Sequence, residues 1–223
     1  MRKKEVLAAI GASPLPRLVK DYFVRASGAA RGSALKGGLK KDPAAFLKSL
    51  HGLLSSAGKI LGRPAQEVLF ITGFNPNDLA PERFAAALAE LRAVLFLDGE
   101  GFSGLKFMPQ AEGLSADISG VKDGQLCVFE VCCLRSGGLL PAAGLLGGKY
   151  EKKKRQLNNA RKKLACARGG LFFAADPLAL LEPADAAALK ELARALHAEK
   201  KGPAGTHICL LSGAAGAVFP PWG

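Results

Sequence analysis

The sequence predicts an α/β fold, in which a helical N-terminal region precedes a core ordered helix, three strands, helix, strand, helix, strand. Two observations support this prediction. Apolar residues recur at helical spacing through the first third of the chain and in three later segments, and β-prone runs bounded by turn residues lie among those later helices. With 223 residues and 49% hydrophobic content, the chain can bury a sizeable core. We expect residues 1–78 to form the helical region and 79–223 the core.

The N-terminal region is basic and interrupted by turn residues. Amphipathic segments cover Glu5–Ile10 and Leu15–Val24, and a Gly/Ser/Ala-rich basic stretch at 27–41 is expected to form a loop. Asp42, followed by proline, can cap a helix that extends to about Ile60. The segment VLFITGF is consistent with a short strand or a buried turn, and the turn signals after it mark the domain boundary.

The core alternates helices and strands. It begins with a helix at Pro81–Leu97, and Gly101–Pro109 suggests a first strand. A hairpin follows, and then a strong helix at about Lys149–Cys166. LFFAAD is a short buried strand, Pro183–His197 a further helix and THICLLSG a last strand. The apolar stripe of the first core helix consists of Phe84, Leu88, Leu91 and Leu95.

The hairpin between Leu114 and Leu134 has a turn that sets its register. Asp123-Gly124 suits a two-residue type I′ turn, because both central positions need a positive φ. The expected cross-strand pairs are Lys122 with Gln125, Val121 with Leu126, Ser119 with Val128, and Ile118 with Phe129.

This register brings two carboxylates together. Asp117 falls opposite Glu130 on one face of the sheet, and opposed Cβ atoms lie only about 5 Å apart. The strand that carries Glu130 is apolar on both faces, as a covered central strand should be, so an unpaired charge there is costly. A divalent cation between the two acids explains the arrangement, because Mg²⁺ prefers carboxylate oxygens.

The basic charge lies in two blocks. The net charge is +12; residues 1–63 hold thirteen Lys and Arg against three acids, and residues 149–168 hold nine against one. Such blocks are typical of proteins that bind a polyanion, usually nucleic acid, less often a membrane surface, or they are simply solvated helix faces. We expect nucleic acid, with DNA favoured, and no membrane partner.

The helix after the hairpin combines an apolar stripe with a basic one. At 100° per residue, Tyr150, Leu157 and Leu164 share a narrow apolar stripe. The adjacent stripe carries Lys149, Lys152, Gln156 and Lys163. The helix can therefore pack on the sheet and hold amines beside the acid pair, although a solvated cationic face is the simpler alternative.

The five cysteines and the lack of a long apolar run indicate a cytoplasmic protein. An odd number of irregularly spaced cysteines favours free thiols in a reducing compartment. A zinc site is disfavoured, because Cys132 and Cys133 point to opposite faces of one strand. No apolar run reaches the length of a membrane span, and the N-terminus does not resemble a signal peptide.

The segment from about Pro81 to Gly213 resembles the PD-(D/E)xK nuclease superfamily, which has a restriction-endonuclease-like fold. The resemblance rests on Asp117, on the triplet Glu130-Val131-Cys132, on the Lys/Gln-bearing helix that follows and on the order of elements. It implies that Asp117 and Glu130 bind Mg²⁺ or Mn²⁺ and that the Val131 carbonyl adds a ligand. An upstream acid serves some members of the family, and Glu90 is the candidate here, with Glu112 as a rival.

The sequence departs from the family's pattern at one position, where Cys132 stands in place of lysine. A thiol with an unperturbed pKa of about 8.5 is mostly neutral at pH 7 and supplies no fixed positive charge. Either Lys149 or Lys152 supplies the missing cation, or the site is degenerate and only binds.

The leading hypothesis is therefore a metal-dependent nuclease that acts on DNA, with RNA less favoured. The first alternative is a non-catalytic nucleic-acid-binding module on the same fold, and the second is an interaction protein whose basic face meets an acidic partner. The oligomeric state is left open, a homodimer included. The residues expected to hold the nucleic-acid backbone are Lys153, Gln156, Arg161, Lys163, Lys40 and Lys41.

Overall fold

A mixed six-stranded sheet with helices on both faces organises the protein in its computed structural model. The structure describes residues 3–28, 39, 41–109, 116–134, 143–175, 178, 180, 185–201 and 204–223. The predicted loop at 27–41 lies largely outside these residues, as do Lys40 and Glu112.

The predicted helices form, with bounds shifted by a few residues. In the described chain they are α1 (Lys3–Ala12), α2 (Arg17–Gly28), α3 (Pro43–Leu61), α4 (Pro81–Gly99), α5 (Ala143–Lys163) and α6 (Ala186–Glu199). The carboxylate of Asp42 accepts a hydrogen bond from the Ala45 amide at 3.0 Å, which confirms the expected N-cap of α3. VLFITGF contains a 3₁₀ turn at Phe70–Thr72 rather than a strand. None of the helices within the described ranges is long and apolar enough to cross a membrane.

The sheet is larger than the sequence predicts. Its strands are β1 (Ser103–Phe107), β2 (Ile118–Lys122), β3 (Gln125–Leu134), β4 (Arg168–Ala175), β5 (Thr206–Ser212) and β6 (Ala215–Phe219), in that spatial order. β4 pairs in parallel with both β3 and β5, and the other neighbours are antiparallel. β6 was not expected, because its sequence AGAVF holds only two strongly β-prone residues. It pairs with β5 through a tight turn at 213–214.

Helices cover both faces of the sheet. One face packs on α5 and α6 through side chains that include Tyr150, Leu157 and Leu189. The other face packs on α4, with Phe129 and Phe172 at its centre. Because β3 lies between β2 and β4 and is covered on both sides, it has the near-continuous apolar sequence of a central strand.

Helix α4 is buried on two sides, not on the single stripe that the sequence predicts. Phe84, Leu88 and Leu91 pack with α1, α2 and α3 in one apolar cluster. Ala89, Ala93, Val94 and Leu97 face the sheet in another cluster. The helix therefore joins the N-terminal helices to the sheet, and its alanines allow close approach to the strands.

Gly169 in β4 marks a close approach that a side chain would disturb. A Cβ at this position would lie 2.6 Å from the Val128 carbonyl oxygen and 2.9 Å from Cδ1 of Leu157. We expect Gly169→Ala to lower the free energy of unfolding by about 2 kcal/mol or more. Urea denaturation measures this change.

Gly52 provides the matched control, because a Cβ there meets nothing within 4 Å and the residue lies inside α3. We expect Gly52→Ala to stabilise the protein by up to about 1 kcal/mol. Equal stability of the two variants would show that β3, β4 and α5 are not packed as described.

Candidate active site

The hairpin forms in the predicted register. Asp123 and Gly124 have φ values of 51° and 73°, as a type I′ turn requires. The ladder pairs Lys122 with Gln125 and continues to Ile118 opposite Phe129, and all four predicted pairs are present. The turn chemistry of two residues was therefore sufficient to align the strands.

The acid pair lies where this ladder ends. The Asp117 amide donates to the Phe129 carbonyl at 2.9 Å, and the Asp117 carboxylate accepts from the Val131 amide at 2.7 Å. The side chain of Glu130 is 0% exposed, and that of Asp117 is 20% exposed. Asp117 is thus held by the backbone of the strand that carries Glu130.

Lys153 of α5 connects the two acids. Its Nζ lies 2.7 Å from Oε2 of Glu130 and 3.4 Å from Oδ2 of Asp117. Burial lowers the pKa of Lys153, but the charges of Asp117 and Glu130 more than offset this effect, so the pKa ends above its usual value. The amine is therefore a fixed cation at neutral pH.

The site holds more acid than this amine can balance. The pKa of Glu90 is raised from 4.5 to about 8, mainly by burial, and the nearby charge of Asp117 raises it by more than the charge of Lys153 lowers it. Burial and Asp117 likewise raise the pKa of Glu130. Glu90 of α4 thus belongs to the same electrostatic cluster as Asp117, Glu130 and Lys153.

Glu90 should make the metal-free protein less stable at high pH. Because its pKa is raised from 4.5 to about 8, the folded state binds more protons than the unfolded state between these values. The wild-type protein therefore loses stability as pH rises through this window. Glu90→Gln stays neutral, so we expect it to match wild type at pH ~5 and to exceed it by about 2 kcal/mol at pH ~9.

Thermal melts in chelator at the two pH values measure this difference, which corresponds to a shift of about 5 °C in Tm. Glu82→Gln is the control, because Glu82 lies in the first turn of the same helix and is exposed. If Glu90→Gln and wild type lost the same stability on going to high pH, the carboxyl would not be buried in the acid cluster.

The carboxylate oxygens of the acid cluster are of the kind that a divalent cation binds. Oε1 of Glu130 is buried and has no hydrogen-bond partner among the described residues, and Asp117 and Glu90 add further carboxylate oxygens nearby. The Val131 carbonyl leaves β3 on the same edge as its amide, which faces Asp117. As the side chains stand, the described part of the chain contains no group of three or more His, Cys, Asp or Glu arranged as a metal site. The metal ligands stay a prediction.

The structure places Lys153, rather than Lys149 or Lys152, beside the acid pair. Nζ of Lys149 donates to the Cys133 carbonyl at 3.5 Å, and Lys152 is exposed on the cleft described below. Burial raises the pKa of the Cys132 thiol, so this residue supplies no charge. The amine beside the two acids therefore belongs to α5 and not to β3.

The helical spacing of the sequence could have predicted that Lys153 faces the acid pair. On the helical wheel it lies 60° from Tyr150 and 40° from Leu157, at the border between the apolar and basic stripes. Tyr150 and Leu157 are both fully buried. A lysine at such a border is directed toward the sheet, whereas Lys152 lies a further 100° around the helix.

The residues expected to hold nucleic acid have different environments. Arg161 is engaged within the fold: its guanidinium donates to the Thr206 hydroxyl at 3.1 Å and to the carbonyls of Ala167 and Cys166. Arg161 thus connects α5 to the amino ends of β4 and β5 through these hydrogen bonds. Lys41 and Lys163 are exposed, and Gln156 lines the cleft beside Lys153.

A cleft of about 1310 Å³ leads to the acid cluster. One part of its lining comes from residues 70–75 and α4, including Glu90; the other comes from residues 107–109, 116–117 and α5, including Lys153. Glu130 lies behind this surface, fully buried. The cleft walls were not predicted, because they join segments that are distant in sequence.

Comparisons of the chain with protein-family models, with curated proteins and with solved structures found no match.

Proposed function

We propose that the protein is a metal-dependent nuclease that hydrolyses phosphodiester bonds of DNA, with RNA less favoured. The observation that supports this proposal is the position of the Lys153 amine, 2.7 Å from Glu130 and 3.4 Å from Asp117 at the base of an open cleft. Two carboxylates and an ammonium group at one point are what metal-assisted attack of water on a phosphodiester needs.

Each residue has a distinct role in this proposal. Asp117, Glu130 and the Val131 carbonyl would hold Mg²⁺ or Mn²⁺, with Glu90 as a further carboxylate. The bound metal would supply Lewis-acid stabilisation and a more acidic water. Lys153 stabilises the negative charge that develops on the scissile phosphate and orients the attacking water. The Val131 amide holds Asp117 in place through its 2.7 Å hydrogen bond.

We further propose that the core is restriction-endonuclease-like and that the chain is a relative of the PD-(D/E)xK nucleases. The order of elements from α4 to β5 supports this assignment, as do the two acids on consecutive strands. The lysine that such a site needs would then come from α5 at Lys153, with Cys132 in the strand position.

A non-catalytic DNA-binding module is the second candidate. It is favoured by the ion pairs of Lys153, which already neutralise part of the acid charge without a metal. In such a module the acid pair would only hold α5 against β3.

The nuclease and the binding module differ in whether they cleave nucleic acid. Purified protein is incubated with supercoiled plasmid, single-stranded DNA and RNA, with Mg²⁺ or Mn²⁺ and with chelator. The nuclease proposal expects cleavage of DNA that needs the metal. Binding without cleavage on any substrate, for folded protein at both metals, would favour the binding module instead.

A further inference from the structure

Two apolar side chains at the cleft lie outside the core clusters of the described residues. Phe70 and Ile71 of the 3₁₀ turn line it together with Glu90 and Lys153. Ile71 is 36% exposed and Phe70 is half-buried. Neither belongs to the three apolar clusters that form the core of the described residues. Adjacent apolar groups in a cleft with reactive groups indicate a binding surface rather than a packing element.

A second apolar patch lines the same cleft from the sheet side. Phe107 and Met108, at the end of β1, are half-buried there and also pack against the core clusters, and the Met108 amide donates to the Asp117 carbonyl at 3.0 Å. The cleft therefore has aromatic and aliphatic groups on both of the segments that bound it. Such groups bind flat, apolar ring faces, and base stacking on an aromatic ring contributes about 1–3 kcal/mol per base.

The described lining carries as many acidic as basic residues, three of each. The titratable groups on the described lining are Asp78, Arg83, Glu90, Asp117, Lys152 and Lys153. Arg83 and Asp78 form an ion pair at 3.6 Å, and Lys153 is paired with the acids. Lys152 is left as an exposed amine for a phosphate. The cleft thus differs from a uniformly basic groove that tracks a duplex backbone, and the apolar patches are its distinguishing surface.

We propose that this cleft binds unpaired nucleotides, so that the substrate of the site is single-stranded DNA or an unpaired end. This inference rests on the proposed nuclease function and specifies its substrate. A duplex stacks its bases on one another and offers phosphates and base edges, so Phe70 and Ile71 could not reach a base face. An unpaired strand exposes both faces of each base. The cleft's volume of about 1310 Å³ exceeds that of most small-molecule pockets and suits a short run of nucleotides.

The test measures binding, so that it does not depend on turnover. A 5′-fluorescein oligodeoxynucleotide of about 12 nucleotides, matched to the site sizes of single-strand binders, is titrated with protein in chelator at pH 7 and followed by fluorescence anisotropy. The same labelled strand in a duplex and an RNA of the same sequence are titrated in parallel. We expect single-stranded DNA to bind about tenfold more tightly than the duplex.

Substitutions at Phe70 and Ile71 test whether the preference for single-stranded DNA depends on the cleft. Phe70→Ala and Ile71→Ala should each weaken single-strand binding by about fivefold to tenfold, with little effect on the duplex. Leu126→Ala is the matched control, because Leu126 is 39% exposed and lies in the hairpin away from the cleft lining. Ile71 is 36% exposed and belongs to none of the three core clusters of the described residues, so Ile71→Ala keeps the test valid if Phe70→Ala fails to fold.

Equal or tighter duplex binding would overturn the inference, and so would single-strand affinity that the two cleft variants leave unchanged. Tighter binding of the RNA would assign the cleft to RNA instead of DNA. Failure of the nuclease proposal would be distinct from these results: it would appear as absence of cleavage with metal, whatever the binding preference.

Discussion

Replacing Lys153 by methionine should lower kcat for DNA cleavage by about 10²–10³-fold, with a much smaller change in KM. Methionine keeps most of the length and apolar character of the side chain but removes the ammonium group, which lies 2.7 Å from Glu130. Because Cys132 supplies no charge, no other residue of the motif can replace that cation. Initial rates at saturating Mg²⁺ measure the loss.

Two further variants separate chemistry from folding in this experiment. Lys153→Arg retains the charge beside the acids and should recover part of the rate, whereas a merely structural role would make the rate follow the Tm. Lys162→Met is the control, because Lys162 is an exposed cation near the end of the same helix. Wild-type rates for a folded Lys153→Met protein would remove this residue from the proposed site.

Asp117→Asn should abolish measurable turnover, with a fall of at least about 10³-fold, while DNA binding is spared. The asparagine side chain can still accept the 2.7 Å hydrogen bond from the Val131 amide, so the local structure should persist. It loses the charge that attracts the metal and that pairs with Lys153. Single-turnover cleavage and anisotropy binding on one oligonucleotide measure the two effects separately.

Asp123→Asn is the matched control for this change. Asp123 lies in the same hairpin at the positive-φ turn, where Asn-Gly is as suitable as Asp-Gly. It should cleave at the wild-type rate. If Asp117→Asn bound DNA as wild type does and also cleaved at an undiminished rate, the acid pair would not be the reactive centre.

Local chemistry explains what the sequence could predict. The positions of Asp117 and Glu130 follow from the turn at Asp123, because a two-residue turn fixes the register of the strands that flank it. The N-cap at Asp42 and the buried positions of Tyr150 and Leu157 follow in the same way from spacing and capping.

Features that depend on packing between distant segments were not predicted. Helix α4 has two buried faces because it lies between the N-terminal helices and the sheet, and a single-stripe pattern cannot show this. The pKa of Glu90 depends on burial and on Asp117, which is distant in sequence. Phe70 and Ile71 line the cleft because the fold brings their turn beside α4 and α5, and β6 forms because β5 offers it an edge.

The sequence predicted Lys149 or Lys152 beside the acid pair, whereas the structure has Lys153 there, and the error at Lys152 has a geometric reason. Adjacent helical residues differ by 100°, so an error of one position turns the amine from the sheet toward solvent. Counting from the buried positions Tyr150 and Leu157 would have selected Lys153. The basic block as a whole indicated a polyanion partner, but only one of its amines contacts both acids in the described structure.

The rate of cleavage of single-stranded DNA, with supercoiled plasmid beside it, as a function of Mg²⁺ concentration tests the central claim most directly, for wild-type and Asp117→Asn proteins purified identically. The proposal predicts a rate that rises and saturates with Mg²⁺ in the wild-type protein, vanishes in chelator and is absent in Asp117→Asn. No cleavage of either DNA by folded wild-type protein at any Mg²⁺ or Mn²⁺ concentration, or equal cleavage by both proteins, would contradict it.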